Sequence, residues 1–115
     1  MPKTNYFYFA KNKEGLKDFE TMNFIYSKNI GCIELSEEDT LNLWDFGSAL
    51  NQKFDKLIDL YEDETLEPEL LPETLKTALE FKNKAADPKV KEAFGKAIEA
   101  INLAIKYNSP LVFWW

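Results

Sequence analysis

The 115-residue chain has 14 basic residues, all of them lysine, against 20 acidic residues, which gives a formal net charge of −6; it contains neither histidine nor arginine. Without histidine, the Ser-His and Cys-His pairs of many hydrolases cannot be built from this chain. Without arginine, it has no bidentate grip on phosphate or guanine, so we expect no nucleic-acid partner. The composition, 45% hydrophobic and 15% aromatic, is that of a packed globule, and we predict a single domain over residues 1–115.

The amino terminus and the single cysteine indicate the compartment. Residues 1–10 contain no long apolar segment followed by a small-residue cleavage site. One cysteine cannot form an internal disulfide, so nothing requires an oxidising environment. We therefore predict a cytoplasmic protein with no membrane segment, and we expect Cys32 to be a small side chain of the core.

Two short strands are predicted in the first third of the chain. Residues 6–9 are an aromatic run with period-two alternation, and residues 30–35 form a second apolar run. Residues 16–26 are ambiguous, because their apolar positions fit one helical face whereas residues 24–26 also fit a strand before a turn. We favour a short helix followed by a strand.

Ser36 marks the start of the next helix. It can cap free N–H groups, and the three acidic residues after it suit the positive end of the helix dipole. We expect this helix to run to about Tyr61, followed by an acidic connection over residues 62–67. Gly47 costs about 1 kcal/mol relative to alanine inside a helix, which predicts a close crossing or a kink. The predicted buried seam comprises Leu43, Gly47, Leu50, Phe54, Leu57 and Tyr61, widened by Trp44, Phe46 and Ile58.

Two prolines organise the following segment. Pro68 and Pro72 are four residues apart, which predicts one helical turn over residues 68–71 and a helix beginning at Pro72. The predicted inner face of that helix comprises Leu71, Leu75, Ala78 and Leu79, with Phe81 at its edge.

The last part of the chain has the strongest pattern. Asp87 and Pro88 are a preferred N-cap and a preferred first helical residue, and an apolar face follows as far as residues 108–110. Residues 111–115 are then a continuous run of β-formers, which predicts a strand that is covered on at least one face. The order of elements predicts an α+β fold, in which a small, mainly antiparallel sheet of amino- and carboxy-terminal strands packs against about three helices.

Charge is spread unevenly along the chain. Residues 31–72 carry two lysines and twelve acidic residues, whereas the flanking segments are slightly basic. The spacing predicts one acidic helix face that continues into the loop after it. Such a face either aids solubility or docks a basic partner through charge complementarity. The candidate partner-binding residues are Asp55, Asp59, Glu62, Asp63, Glu64, Glu67 and Glu69.

Other kinds of site find less support. The stretch 59–63 lacks the glycine and the terminal glutamate spacing of a calcium loop, so we predict no metal and no cofactor. Paired acids such as Asp59 and Asp63 could act as general acid and base, but the sequence shows no pocket around them. Without arginine, base stacking by the aromatic residues is disfavoured, so we expect them to be core residues, with one or two at an interface. These aromatics are Tyr6, Tyr8, Trp44, Trp114 and Trp115.

Three stretches carry a resemblance to a known group. FDKLIDLYEDE at residues 54–64, LEPELLP at residues 66–72 and the final amphipathic helix ending in NSPLVF resemble small bacterial immunity proteins. Such proteins accompany polymorphic or contact-dependent growth inhibition toxins, and the likeness covers about residues 35–115.

The resemblance implies a non-enzymatic inhibitor that binds a toxin domain, often a basic nuclease, and blocks its active site or a nearby surface. We therefore predict an immunity protein that acts through its acidic helix and loop. The alternatives are a nucleic-acid mimic that occupies a basic protein, and a small enzyme that uses carboxylate or tyrosine chemistry.

Overall fold

One antiparallel sheet forms the centre of the molecule. The computed structural model describes residues 4–21, 24–59 and 63–115. Within these residues four strands pair in the order β2-β1-β4-β3, and both neighbours of β1 are antiparallel to it. The strands are β1 (Asn5–Ala10), β2 (Ile30–Leu35), β3 (Asp63–Leu66) and β4 (Leu111–Trp114). The predicted α+β fold, with the terminal strand beside an early one, is confirmed.

Helices cover the two faces of this sheet unequally. The described residues form α1 (Lys13–Asp18), α2 (Glu37–Asn42), α3 (Trp44–Phe54), α4 (Leu71–Lys84) and α5 (Pro88–Lys106), with 3-10 turns at Phe24–Tyr26 and Pro68–Leu70. Residues of α3, α4 and α5 pack with Phe7 and Phe113 in the main core, on what we call the inner face. Residues of α1 and the first 3-10 turn pack with Tyr8 and Val112 on the opposite, outer face.

Aromatic residues fill the inner face. Phe7 and Phe113 are directly opposite in the register of β1 and β4, and their rings meet edge-on with centroids 4.8 Å apart. Both are buried, and so is Trp115 beyond the end of β4. Burying such a side chain contributes about 1.5 to 3 kcal/mol, so this layer supplies much of the driving force for folding.

The predicted helix starts are confirmed. The Ser36 hydroxyl accepts a hydrogen bond from the Asp39 N–H (3.0 Å), and the Asp39 carboxylate accepts one from the Ser36 N–H (3.0 Å), which completes a capping box. Asp87 accepts a bond from the Lys89 N–H (2.9 Å), and Pro88 is the first residue of α5. The helix predicted near Pro72 begins one residue earlier, at Leu71.

The prediction of one helix from Ser36 to about Tyr61 is wrong. The segment contains two helices, and α3 ends at Phe54 because Asp55 adopts a left-handed conformation with φ of 54°. The side chain of Asn51 then bonds both backbone groups of Ile58, with distances of 2.7 Å to its N–H and 3.0 Å to its carbonyl. This pairing turns the chain away from the helix axis. Leu57, expected in the buried seam, is consequently 73% exposed; Tyr61 lies outside the described residues.

Two segments predicted from local sequence have a different structure. The acidic connection expected over residues 62–67 contains strand β3, which pairs with β4 and buries Leu66. The strand expected at residues 24–26 is a 3-10 turn, and the short helix expected from residue 16 is α1, which begins three residues earlier and already ends at Asp18. In both cases tertiary packing outweighs the weak preference of a short segment.

The predicted burial of two side chains is also wrong. Cys32, expected in the core, is exposed, because it lies opposite Tyr8 in the register of β1 and β2 and therefore on the outer face, away from the main core. Leu79, expected on the inner side of α4, is 43% exposed. Thr74 and Thr77 are buried instead, and their hydroxyls donate to the carbonyls of residues four positions earlier at 2.8 and 2.9 Å. These bonds remove the cost of burying a hydroxyl.

The close crossing predicted at Gly47 is confirmed. A Cβ atom at this position would lie 3.2 Å from Cγ2 of Ile58 and 3.3 Å from Cζ3 of Trp115. The glycine therefore lets α3 approach the end of the sheet. Among the helices in the described ranges, none combines the length and the apolar character that a membrane crossing requires.

Candidate functional site

The predicted acidic residues do not share a helix face, because α3 ends before them. They lie instead on two adjacent segments, the loop over residues 55–59 and the stretch over residues 63–69 that begins with β3. We call these two segments together the acidic edge. Their described carboxylates belong to Asp55, Asp59, Asp63, Glu64, Glu67 and Glu69. Glu62, the seventh candidate, lies outside the described residues.

Glu64 joins the two segments of the acidic edge. One of its carboxylate oxygens accepts a hydrogen bond from the Leu57 N–H and the other accepts one from the Thr65 N–H, both at 3.0 Å. Strand β3 is at the border of the sheet, where free N–H groups can attract a strand of another chain. Glu64 therefore pairs with the Thr65 N–H on the edge strand and, through the Leu57 N–H, holds the loop over residues 55–59 against β3.

Glu67 is also engaged within the chain. The Lys56 ammonium lies 2.7 Å from its carboxylate, and this hydrogen bond lowers the pKa of Glu67 below its ordinary value. The pair neutralises part of the charge of the acidic edge. The contacts of Glu64 and Glu67 thus help to fix the shape of the surface.

The other described carboxylates of the acidic edge share its two segments with an exposed apolar side chain. Asp55, Asp59, Asp63 and Glu69 are exposed, and Leu57, which lies between the first two in the sequence, is 73% exposed. An exposed large apolar residue within a polar rim is typical of protein interaction surfaces. This combination is the first candidate functional feature of the molecule.

A second feature crosses the outer face of the sheet. The register of the four strands places Glu34, Tyr6, Trp114 and Asp63 in one row, in that order. The two aromatic residues are half-buried, and the carboxylates at both ends are exposed. We call this set the aromatic row. It can offer apolar area and negative charge to one partner.

The aromatic row continues into a cluster of rings under α1. The ring of Tyr8 meets those of Phe24 and Trp114 edge-on, at centroid distances of 5.5 and 5.9 Å. Phe19 contacts Phe24 in the same way at 5.1 Å. Burial, with smaller contributions from neighbouring titratable groups, raises the pKa of Tyr8 to about 12. Its phenol therefore remains neutral in the physiological range.

The sequence could indicate some of these aromatic positions but not their assembly. Alternation in the first and last strands separates Tyr6 and Trp114 from Phe7 and Phe113. Tyr8 and Trp115, in contrast, are buried as predicted, while Trp44 is 38% exposed. The row exists only because β3 joins the sheet in the register that places Asp63 opposite Trp114, and the sequence had predicted a loop there.

A polar cleft of about 220 Å³ lies between α2 and α5. At its centre Lys96 donates to Asp39 at 2.7 Å. Burial alone would raise the pKa of Asp39, but its hydrogen bonds from Lys96 and Ser36 outweigh burial and lower it. The same bond with Asp39 raises the pKa of Lys96. Both groups therefore remain charged and serve to join the two helices.

The described part of the chain contains no group of three His, Cys, Asp or Glu side chains placed to hold a metal ion. No family model, no curated protein and no solved structure matches this sequence.

Proposed function

We propose that this chain is a non-enzymatic immunity protein, which binds a basic toxin domain through the acidic edge and so keeps the toxin from acting in the cytoplasm that contains them both. The observation that supports this role is that exposed carboxylates and the exposed Leu57 share the two segments of the acidic edge. Asp55, Asp59, Asp63 and Glu69 provide negative charge, and Leu57 provides an apolar side chain that a partner can cover.

The two kinds of group have different tasks in such a complex. Exposed charges accelerate the encounter with an oppositely charged partner and select against partners of like charge. Covering Leu57 would add affinity through apolar burial at the centre of the contact. The internal bonds of Glu64 and Glu67 hold the loop before the partner arrives, which reduces the entropy lost on binding.

The test is a kinetic comparison of charge reversals. The protein is mixed with a basic toxin domain, for which the reading frame upstream of its own gene is the first place to search, and association is followed by stopped flow over a range of salt concentrations. Asp59→Lys combined with Glu69→Lys should slow association by about tenfold at low salt, with the difference shrinking as salt screens the charges. Leu57→Ala should mainly accelerate dissociation.

A matched control has the same change of net charge elsewhere. Glu80→Lys combined with Glu99→Lys alters two exposed carboxylates of α4 and α5. If this control slows association as much as the acidic-edge variant, only net charge matters and the proposed surface is wrong. Association that ignores both variants and salt would also contradict the proposal.

The same variants separate an immunity protein from a nucleic-acid mimic. A mimic needs a series of free charges that imitates phosphates, whereas Glu64 and Glu67 are bonded within the chain and Leu57 interrupts the acidic edge. These features favour recognition of one shaped partner. Competition between this protein and DNA for an unrelated basic protein would favour the mimic instead.

A further inference from the structure

A small groove lies where the acidic edge meets the aromatic cluster of the outer face. It has a volume of about 210 Å³ and is lined by Phe19, Phe24, Asp63, Thr65, Pro110 and Val112. Its location follows from the sheet, because Asp63 and Thr65 lie opposite Trp114 and Val112 in the pairing of β3 with β4.

The lining divides into an apolar part and a polar part. Phe19 and Phe24 contribute rings that contact each other edge-on, and buried Val112 contributes aliphatic surface. Asp63 contributes an exposed carboxylate and Thr65 a half-buried hydroxyl. A ligand that fits must therefore combine an apolar stem with a group that is attracted by negative charge.

The size and the charge of the groove narrow the choice of ligand. Small-molecule sites usually have volumes of about 300 to 1,000 Å³, so this groove suits a single side chain better than a cofactor. Anions are disfavoured beside Asp63 in a protein whose net charge is −6. Among cationic side chains, arginine is the one whose planar group both stacks on aromatic rings and binds a carboxylate through two parallel bonds.

We propose that the groove receives one arginine side chain of the partner protein, with the plane of its guanidinium group against the rings of Phe19 and Phe24 and with its N–H groups donating to Asp63 and Thr65. This assignment rests on the proposed function for the identity of the partner, but the chemistry of the groove can be tested without any toxin. It adds a specific contact to the less directional attraction of the acidic edge.

The first experiment is an NMR titration of the intact protein with the peptide acetyl-Gly-Arg-Gly-amide. The comparison peptide contains citrulline, which has the shape of arginine without its charge. The arginine peptide should shift the Val112 methyl and Thr65 amide signals in a saturable manner, and the citrulline peptide should bind about fivefold more weakly, as expected for loss of an exposed ion pair.

Variants assign the contact to named residues. Asp63→Asn keeps the size of the side chain and should weaken the arginine peptide by about fivefold. Phe19→Leu keeps an apolar wall but removes a ring, and should weaken it by about twofold through the loss of cation–π attraction. Glu99→Gln changes the charge equally on α5 and should leave binding unchanged. Circular dichroism establishes that each variant is folded.

Three results would overturn the assignment. These are equal binding of the two peptides, equal binding to wild type and Asp63→Asn, and the absence of saturable shifts at Val112 and Thr65. The failure of the proposed function is a separate result. If the groove binds the arginine peptide but Asp59→Lys with Glu69→Lys leaves toxin association unchanged, the groove assignment survives and the immunity role does not. If those variants slow toxin association but the groove does not bind the arginine peptide, only the arginine contact is ruled out.

Discussion

The two faces of the sheet both present aromatic residues of the same two strands, but helices cover these residues to different extents. On the inner face, Phe7 and Phe113 are completely covered by helices. On the outer face, their neighbours Tyr6 and Trp114 are half-buried, with exposed carboxylates at each end of their row. One face is therefore closed by helices, whereas the other leaves part of its aromatic area exposed. Aromatic content alone could not have distinguished the two faces, because adjacent aromatic residues of one strand lie on opposite faces that helices cover to different extents.

The largest expected effect compares two neighbours on β4. Phe113→Ala should destabilise the protein by about 4 kcal/mol, because a buried ring is replaced by a cavity. Trp114→Ala should cost about half as much, since part of its ring is already in water. Urea unfolding gives both free energies. Equal losses would mean that the outer face is as important for folding as the inner face.

The next effect concerns the hydrogen-bonded ion pair between Lys96 and Asp39, which joins α2 and α5. Asp39→Ala should destabilise the protein by about 2 kcal/mol at neutral pH, because it removes hydrogen bonds from Lys96 and Ser36. Glu38→Ala is the control, since its 3.6 Å pair with Lys89 is exposed and should contribute less than about 1 kcal/mol.

The pH dependence of this effect has a defined sign. The folded pKa of Asp39 is below its ordinary 3.8, so the stability it contributes is fully present above that value and is lost as the pH falls through the folded pKa. The difference between wild type and Asp39→Ala should therefore shrink in urea unfolding as the pH is lowered below 3.8. A constant difference would assign the effect to packing.

A smaller effect separates crowded from open positions within the helices. Gly47→Ala should destabilise by about 1 kcal/mol, because the new methyl group crowds Ile58 and Trp115 more than the improved helix propensity repays. Gly95→Ala should stabilise by about 1 kcal/mol, because apart from the adjacent residues and the backbone of α5 itself no atom lies within 4 Å of the added Cβ. Thermal unfolding measures both. A gain from both variants would show that the crossing at Gly47 can relax.

The smallest effect at neutral pH is expected for Tyr8→Phe on the outer face. The pKa of Tyr8 rises from 10.0 to about 12 on folding, so the stability linked to its proton is present below pH 10.0 and is lost as the pH rises towards 12. Wild type should lose this contribution in urea unfolding above pH 10.0, and Tyr8→Phe should not. Parallel losses in the two proteins would place the titrating group elsewhere.

Short-range patterns were sufficient for the elements that carry their own signals. The alternation of residues 6–9, the apolar run at residues 111–115 and the N-caps Ser36 and Asp87 each act within a few residues, and the structure contains the strands and helix starts that they predict. Gly47 also indicated its crossing, because a glycine inside a helix has a local cost that only a tertiary contact offsets.

Elements without a periodic signal of their own could be decided only by the structure. The end of α3 coincides with the left-handed Asp55 and is followed by the bonds between Asn51 and Ile58, and β3 forms by pairing with the distant strand β4. The acidic stretch was visible in the sequence, but its arrangement was not. Which carboxylates are bonded internally, which are exposed, and which one meets the aromatic row depend on strand register, and register is set by the packing of the whole sheet.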